Sequence, residues 1–321
     1  MITLSDIRQA HIRIQDKIQK TPVMRSTTIN RLTRCDVFFK CENFQRIGAF
    51  KFRGACNAVS QLSDDERRRG VIAHSSGNHA QALALAASMF GIKATIVMPK
   101  NSPKVKVNAT RGYGAEIVFC ENSTESRVAV ANDLVDKHGY TLIHPYNDPR
   151  IIAGAGTAAL ELIEEIGSLD YVFAPVGGGG LVSGTAITTK NLLPDAEVIA
   201  VEPANADDAY RSIKAGKILP SVNPNTIADG LRTQLGNLTF EIIKEYVNEI
   251  VLVEENDILN AMKLLWERMK LVVEPSGAVS LAGLLKICRD LEGEHIGVII
   301  SGGNVDLTDF FDVYSKRIAM V

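Results

Sequence analysis

No run of this chain approaches the roughly 18 consecutive apolar residues that a membrane helix needs, so a membrane span is not expected. Charge of one sign is equally scarce. Lys and Arg number 35 against 37 Asp and Glu, a formal net charge of −2, which builds no field for a nucleic acid or an anionic lipid surface. Cysteine is sparse: Cys35, Cys41, Cys56, Cys120 and Cys288 are odd in number, scattered, and form no C-x-x-C pair. That pattern excludes a disulfide framework and a cysteine zinc site, and reads as reduced thiols filling small apolar spaces. The N-terminus, Met1-Ile2-Thr3-Leu4-Ser5-Asp6, lacks the basic-then-apolar order of a signal peptide. The expectation is a soluble cytoplasmic protein with no nucleic-acid or membrane partner.

What is present is 321 residues of ordinary globular composition, 46% hydrophobic and 22% charged, enough for about two lobes with a substantial core. Strand-like and helix-like segments alternate. Strands are expected at 37–40, 71–74, 94–98, 116–119, 141–144, 170–176, 197–201 and 297–300. Helices are expected at 52–62, 79–90, 102–111, 124–138, 155–166, 181–193 and 255–270, and the Pro- and Gly-containing segment 203–236 reads as loop. Repeated βα units with short connections argue for an α/β fold of two lobes, each a mostly parallel twisted sheet covered by helices. In such sheets ligands bind beyond the carboxyl ends of the strands.

Four segments fall at such places or carry chemistry of their own. Lys51 stands between Phe50 and Phe52; a lysine held against apolar surface loses its proton cheaply, and the neutral amine forms Schiff bases. Gly177, Gly178, Gly179 and Gly180 link a buried strand to a helix, the arrangement of a phosphate cradle. Neither G-x-x-x-x-G-K-[ST] nor G-x-G-x-x-G is present, so a compact phosphate ester fits better than a nucleotide. Glu202, about 20 residues on, keeps the dinucleotide alternative in view. Ser75-Ser76-Gly77-Asn78-His79 precedes a helix and can hold a carboxylate, cap the helix, or both. Ser301-Gly302-Gly303-Asn304 ends another strand and offers one hydroxyl. A Schiff-base lysine, a phosphate cradle, a carboxylate site and a hydroxyl together describe pyridoxal phosphate and an amino-acid substrate.

The segments 48–55, 75–81, 177–181 and 301–306 resemble the four signature segments of fold-type II pyridoxal-phosphate enzymes. Nearly the whole chain resembles their serine racemase and serine/threonine dehydratase branch. The resemblance implies a serine racemase that also eliminates water from serine, or alternatively a threonine/serine or 3-hydroxyaspartate dehydratase without significant racemisation. It implies that Lys51 carries the cofactor, with Phe50 packing by its ring and Asn78 on the 3′-oxygen. Gly177 to Gly180 and Leu181 hold the phosphate, and Ser301 meets the ring nitrogen. Ser75, Ser76, Asn78 and His79 form the substrate site. Racemisation needs a proton carrier on each face of the carbanion, Lys51 on one and Ser76 on the other. Ser76 stands where common bacterial threonine dehydratases have Ala.

The resemblance further implies a divalent cation, Mg2+ or else Ca2+ or Mn2+, on the Glu202 and Asp208 carboxylates and the Ala206 carbonyl. It implies a homodimer, a large cofactor-binding domain over 1–66 and 148–321, and a small domain over 67–147. ATP stays open: Ser26 and Thr27 are compatible with nucleotide contacts, whereas Arg8, Arg46 and Ile47 depart from the ATP-binding pattern. Tyr146 stands where Asn is common.

Overall fold

The computed structural model describes residues 2–102, 104–307 and 310–312. Met1, and Pro103 within the expected helix 102–111, lie outside the described residues. Two sheets organise the chain. The larger is built from β1 (Val23–Met24), β2 (Asp36–Cys41), β7 (Tyr171–Pro175), β8 (Glu197–Pro203), β9 (Glu249–Val253) and β10 (His295–Ile300). The smaller is built from β3 (Val71–His74), β4 (Ala94–Pro99), β5 (Glu116–Cys120) and β6 (Thr141–Leu142). Strand orders are β1-β2-β10-β7-β8-β9 and β5-β4-β3-β6. Among the described residues every pairing between these strands is parallel except β1 with β2 at one edge. Buried strands such as β8 and β10 read as continuous apolar runs because helices cover both faces.

Most expected elements stand, with ends moved by a few residues, and the departures have physical causes. The helix expected from Ala155 begins at Pro149, where Asp148 caps it through the Arg150 N–H and proline occupies the first turn. Gly154 and Gly156 weaken the helical signal there. They are needed because added Cβ atoms would strike the backbone of Arg53 and Gly184 on the neighbouring helices Lys51–Ser60 and Gly180–Leu192. The loop segment 203–236 contains a helix, Asp208–Ala215, whose first N–H groups are taken by Glu202 at the end of β8. The helix 255–270 is α-helical over Glu255–Leu264 and widens into a π turn over Leu265–Met269. Its stripe of Ile258, Leu259, Met262, Leu265 and Met269 is core, as expected, while Trp266 is half-buried against Phe310.

The helices Leu4–Ile14, Asn237–Tyr246 and Pro275–Ile287 and the strand β9 carry no assignment from the sequence pattern. Pro275–Ile287 is buried from Pro275 to Leu284, so it shows no polar face from which to read a period. Among the described residues, no helix is long and apolar enough to cross a membrane.

Candidate active site

Lys51 opens the helix Lys51–Ser60, and the loop before it is stitched to the end of β10. Phe50 N–H donates to the Ser301 carbonyl at 3.0 Å, Gly303 N–H donates to the Gly48 carbonyl at 2.8 Å, and Ala49 bridges Gly302. The Lys51 amine donates to the Pro145 carbonyl at 2.8 Å and lies 5.1 Å from the Phe50 ring centroid. Burial draws its pKa down to about 8, with the Glu274 carboxylate opposing.

Pro145 leads into Tyr146, which joins Lys51 to the glycine loop. The Tyr146 ring lies against Gly178, where any side chain would collide with it, and the Tyr146 Cβ and backbone lie against Gly180. Gly179 adopts φ +90, and the helix Gly180–Leu192 that follows carries no side-chain cap. Its positive end and first N–H groups are therefore directed at whatever sits beyond the loop. Leu181 is buried in its first turn. Thr239 ties back the Gly178 carbonyl at 2.8 Å. Tyr146 itself is held by its hydroxyl on the Thr233 hydroxyl at 3.0 Å and by edge contact with His144 at 4.6 Å.

The serine loop follows β3. Ser75 accepts the Gly77 N–H at 3.3 Å, and the helix Asn78–Met89 has no side-chain cap, so neither serine caps it. Its first N–H groups are left to a ligand, an arrangement that suits a carboxylate. Ser76 lies partly exposed in the same loop. His79 is buried with Nε2 at 2.9 Å from the Ile143 carbonyl; a carbonyl only accepts, so Nε2 carries the proton. Burial, then the nearby Lys51 charge, pull its pKa down to about 3. A neutral imidazole so engaged cannot donate from Nδ1, which leaves the backbone N–H of His79 as its donor to a carboxylate.

Asn78 crosses to the other sheet. Its Nδ2 donates to Glu274 at 2.7 Å, and its Oδ1 accepts from Asn304 at 2.9 Å. Burial, with Asp229 adding, pushes the Glu274 carboxyl up to about 8. The Ser301 hydroxyl donates to the Ser276 carbonyl at 3.3 Å, a long bond that it can exchange for a ring nitrogen. Sequence patterns alone missed Glu274, Thr239, Asn304's role and the Pro145 carbonyl. All four partners lie far along the chain.

The residues weighed for a cation form a separate cluster. Glu202 is buried, its oxygens accepting the Ala209 and Tyr210 N–H groups at 2.8 and 2.9 Å, and burial raises its pKa to about 8. Asp208 is fully buried and neither of its oxygens accepts a hydrogen bond of normal geometry; burial raises its pKa to about 6. Ala206 lies in the turn between them. Two buried carboxylates, one orphaned, fit an oxygen-liganded divalent cation. Among the described residues, no group of three or more His, Cys, Asp or Glu side chains gathers as a metal site. The cation would therefore need backbone or water oxygens as well. Of the residues weighed for ATP, Ser26 caps a helix through the Ile29 N–H, Arg46 donates to the Lys17 carbonyl, and Ile47 is buried. A cavity of about 390 Å3 opens at the amino ends of β7 and β8, away from these loops.

The glycine cradle, the uncapped helix end and the desolvated lysine fit pyridoxal phosphate, and the comparisons agree. The pyridoxal-phosphate dependent enzyme family matches residues 14–302. Serine racemase of Dictyostelium discoideum is 50% identical over 311 residues, covering 96% of this chain and 96% of its own. L-threo-3-hydroxyaspartate ammonia-lyase of Saccharomyces cerevisiae is 48% identical over 316 residues, covering 98% and 97%. The crystal structure of the Dictyostelium discoideum serine racemase superposes with a TM-score of 0.92 at 49% identity, over 95% of this chain and 99% of that one.

Proposed function

Because the chain belongs to the pyridoxal-phosphate dependent enzymes, we propose that it interconverts L- and D-serine and eliminates water from serine to give pyruvate and ammonia. The single observation that carries this is geometric: the Lys51 amine donates to the Pro145 carbonyl, and the next residue, Tyr146, lays its ring against Gly178 of the glycine loop. Bound pyridoxal phosphate supplies an aldehyde for the substrate amine and an electron-poor ring that stabilises negative charge at the α-carbon.

In this reading Lys51 anchors the cofactor and moves the α-proton on one face, while the Ser76 hydroxyl serves the other face. Gly177 to Gly180 and Leu181 hold the phosphate, Asn78 the 3′-oxygen and Ser301 the ring nitrogen, with Phe50 packed by the ring. Ser75 and the backbone N–H groups of Asn78 and His79 hold the substrate carboxylate. Elimination needs only Lys51 and an acid at the departing hydroxyl, so both reactions are expected from one site.

A second reading is a dehydratase of serine, threonine or 3-hydroxyaspartate without significant racemisation. It is favoured by the 48% identity to a 3-hydroxyaspartate ammonia-lyase. The proposal includes Mg2+, Ca2+ or Mn2+ on Glu202, Ala206 and Asp208, supported by the orphaned Asp208 oxygens. It includes a reducing, cytoplasmic setting, which five free cysteines suit, and a homodimer, which rests on the resemblance alone. The small domain is placed at 67–147, the range that holds β3 to β6. ATP stays open in the proposal: Ser26 and Thr27 are compatible with nucleotide contacts, and Arg46 and Ile47 depart from the pattern.

The test is the purified protein with pyridoxal phosphate, assayed on L-serine, D-serine, L-threonine and 3-hydroxyaspartate, wild type against Ser76→Ala. D-Serine should form from L-serine, and Ser76→Ala should abolish that while pyruvate formation survives at least in part. Pyruvate without D-serine from the wild type selects the dehydratase reading. A protein that stays colourless with pyridoxal phosphate sinks both.

A further inference from the structure

We propose that Glu274 is a positioning residue: with Asn304 it fixes the Asn78 side-chain amide so that an N–H, and not its carbonyl, is turned toward the cofactor. The inference deepens the pyridoxal-phosphate reading above and rests on it. Glu274 occupies the N-cap position of the helix Pro275–Ile287, but its side chain makes no capping hydrogen bond. Its buried carboxylate reaches instead to the loop of the other sheet and accepts the Asn78 Nδ2–H at 2.7 Å. The carboxylate fills the space that Gly302 leaves free, since a Cβ there would collide with Glu274 Oε1.

The other end of the relay is equally determined. The Ile47 carbonyl only accepts, so Asn304 turns Nδ2 toward it, at 2.6 Å. The second hydrogen of that nitrogen goes to Asn78 Oδ1 at 2.9 Å, which commits the Asn78 carbonyl. Asn78 Nδ2 has two hydrogens, and Glu274 takes one. Among the described residues the other has no acceptor, and it is the one left for a ligand oxygen. Ile47 is itself a β-branched residue in the left-handed region (φ 59, ψ 7), a conformation that persists only where its surroundings hold it. Next to it Gly48, at φ +73, has no Cβ to exclude Asn304. The relay therefore spans the lysine loop, the serine loop and the end of β10.

The test is an equilibrium titration of the apoprotein with pyridoxal phosphate, read by absorbance of the bound cofactor, with apoprotein melting temperatures alongside. Asn78→Ala and Glu274→Ala should each weaken binding about tenfold, the worth of one buried hydrogen bond. Glu274→Gln should stay within about threefold of wild type, because its amide oxygen still accepts from Asn78. The double variant Asn78→Ala/Glu274→Ala should be no weaker than Asn78→Ala alone, within about twofold. Should Glu274→Ala not fold, Asn304→Ala takes its place: about fivefold weaker in the wild-type background and without effect in Asn78→Ala. Equal losses in both backgrounds overturn the proposal. So does a Glu274→Gln variant as damaged as Glu274→Ala at unchanged melting temperature. A wild-type apoprotein that does not take up pyridoxal phosphate sinks this inference and the function together, whereas additive losses in one that does sink this inference alone.

Discussion

Replacing Arg53 by methionine should cost the fold about 3–5 kcal/mol at neutral pH. Arg53 follows Lys51 by two residues on the same helix, and its side chain is fully buried. Nε and Nη2 donate to Glu42 at 2.7 and 2.8 Å, and Nη1 and Nη2 donate to Glu161 at 2.7 and 2.8 Å. Lys40, also buried, adds bonds to Glu161 and to the Thr21 carbonyl, both 2.7 Å. Two cations thus balance two carboxylates in a dry interior. Methionine keeps most of the volume but removes four charge-assisted hydrogen bonds and strands Glu42 with only the Thr21 hydroxyl at 2.5 Å.

The loss is a large share of the roughly 5–15 kcal/mol that holds a domain together. Arg53→Lys keeps the charge without the fork and should cost less, about 1–3 kcal/mol. In the wild type, burial raises the Glu161 pKa, but Arg53 and Lys40 outweigh it and the net shift is downward. A lowered carboxylate contributes stability that is present above its unfolded value and is lost as pH falls through its folded one. The stability gap between wild type and Arg53→Met should therefore narrow as pH falls below about 5. Urea midpoints followed by tryptophan fluorescence at pH 7.5 and pH 4 measure this. A loss under about 1 kcal/mol at pH 7.5, or one unchanged at pH 4, would refute the view that buried charge balance holds the Lys51 helix.

Three further outcomes follow from Lys51 and from the Glu202–Asp208 cluster. Lys51→Ala should abolish both activities and the visible band of bound pyridoxal phosphate. In the wild type the neutral amine becomes the main form as pH rises through about 8, so cofactor uptake by the apoprotein should accelerate from pH 7 to 9 and then level off; acceleration continuing to pH 10.5 would return Lys51 to ordinary behaviour. Glu202 and Asp208 have raised folded pKa values, about 8 and about 6, so their contribution is present at low pH and lost as pH rises through those values. Added Mg2+ or Ca2+ should raise the melting temperature by several degrees at pH 8 and much less at pH 5.5, and Asp208→Asn should abolish the gain. A gain equal at both pH values, or surviving in Asp208→Asn, would count against a cation there.

The elements that sequence located well are those whose signals are local. β3 is bounded by Gly70 and a Ser-Ser-Gly turn, and Val71–His74 is the segment expected. The helix Thr124–His138 carries its own Ser123 cap and Gly139 stop. The helix Asp208–Ala215 was hidden because its cap is not local: Glu202, on a strand, satisfies its first N–H groups. The same long reach explains why the Glu202–Asp208 segment reads as plain loop from composition.

The site divides along the same line. Lys51, the four glycines and the two serine-bearing loops announce themselves because each carries unusual residues in a run, and runs survive in one dimension. Their partners do not. The acceptor of the Lys51 amine is a carbonyl 94 residues away, and a carbonyl has no letter in a sequence. Glu274 is worse than silent, because Glu before Pro at a helix start already has a sufficient local explanation: acids favour that end of the dipole. Only the missing capping bond and the 2.7 Å contact with Asn78, 196 residues away, show its carboxylate turned elsewhere. A residue that satisfies a local rule in sequence and breaks it in the fold is therefore the place to look for function. By that criterion Glu274 ranks beside Lys51, although nothing around it in the chain is unusual.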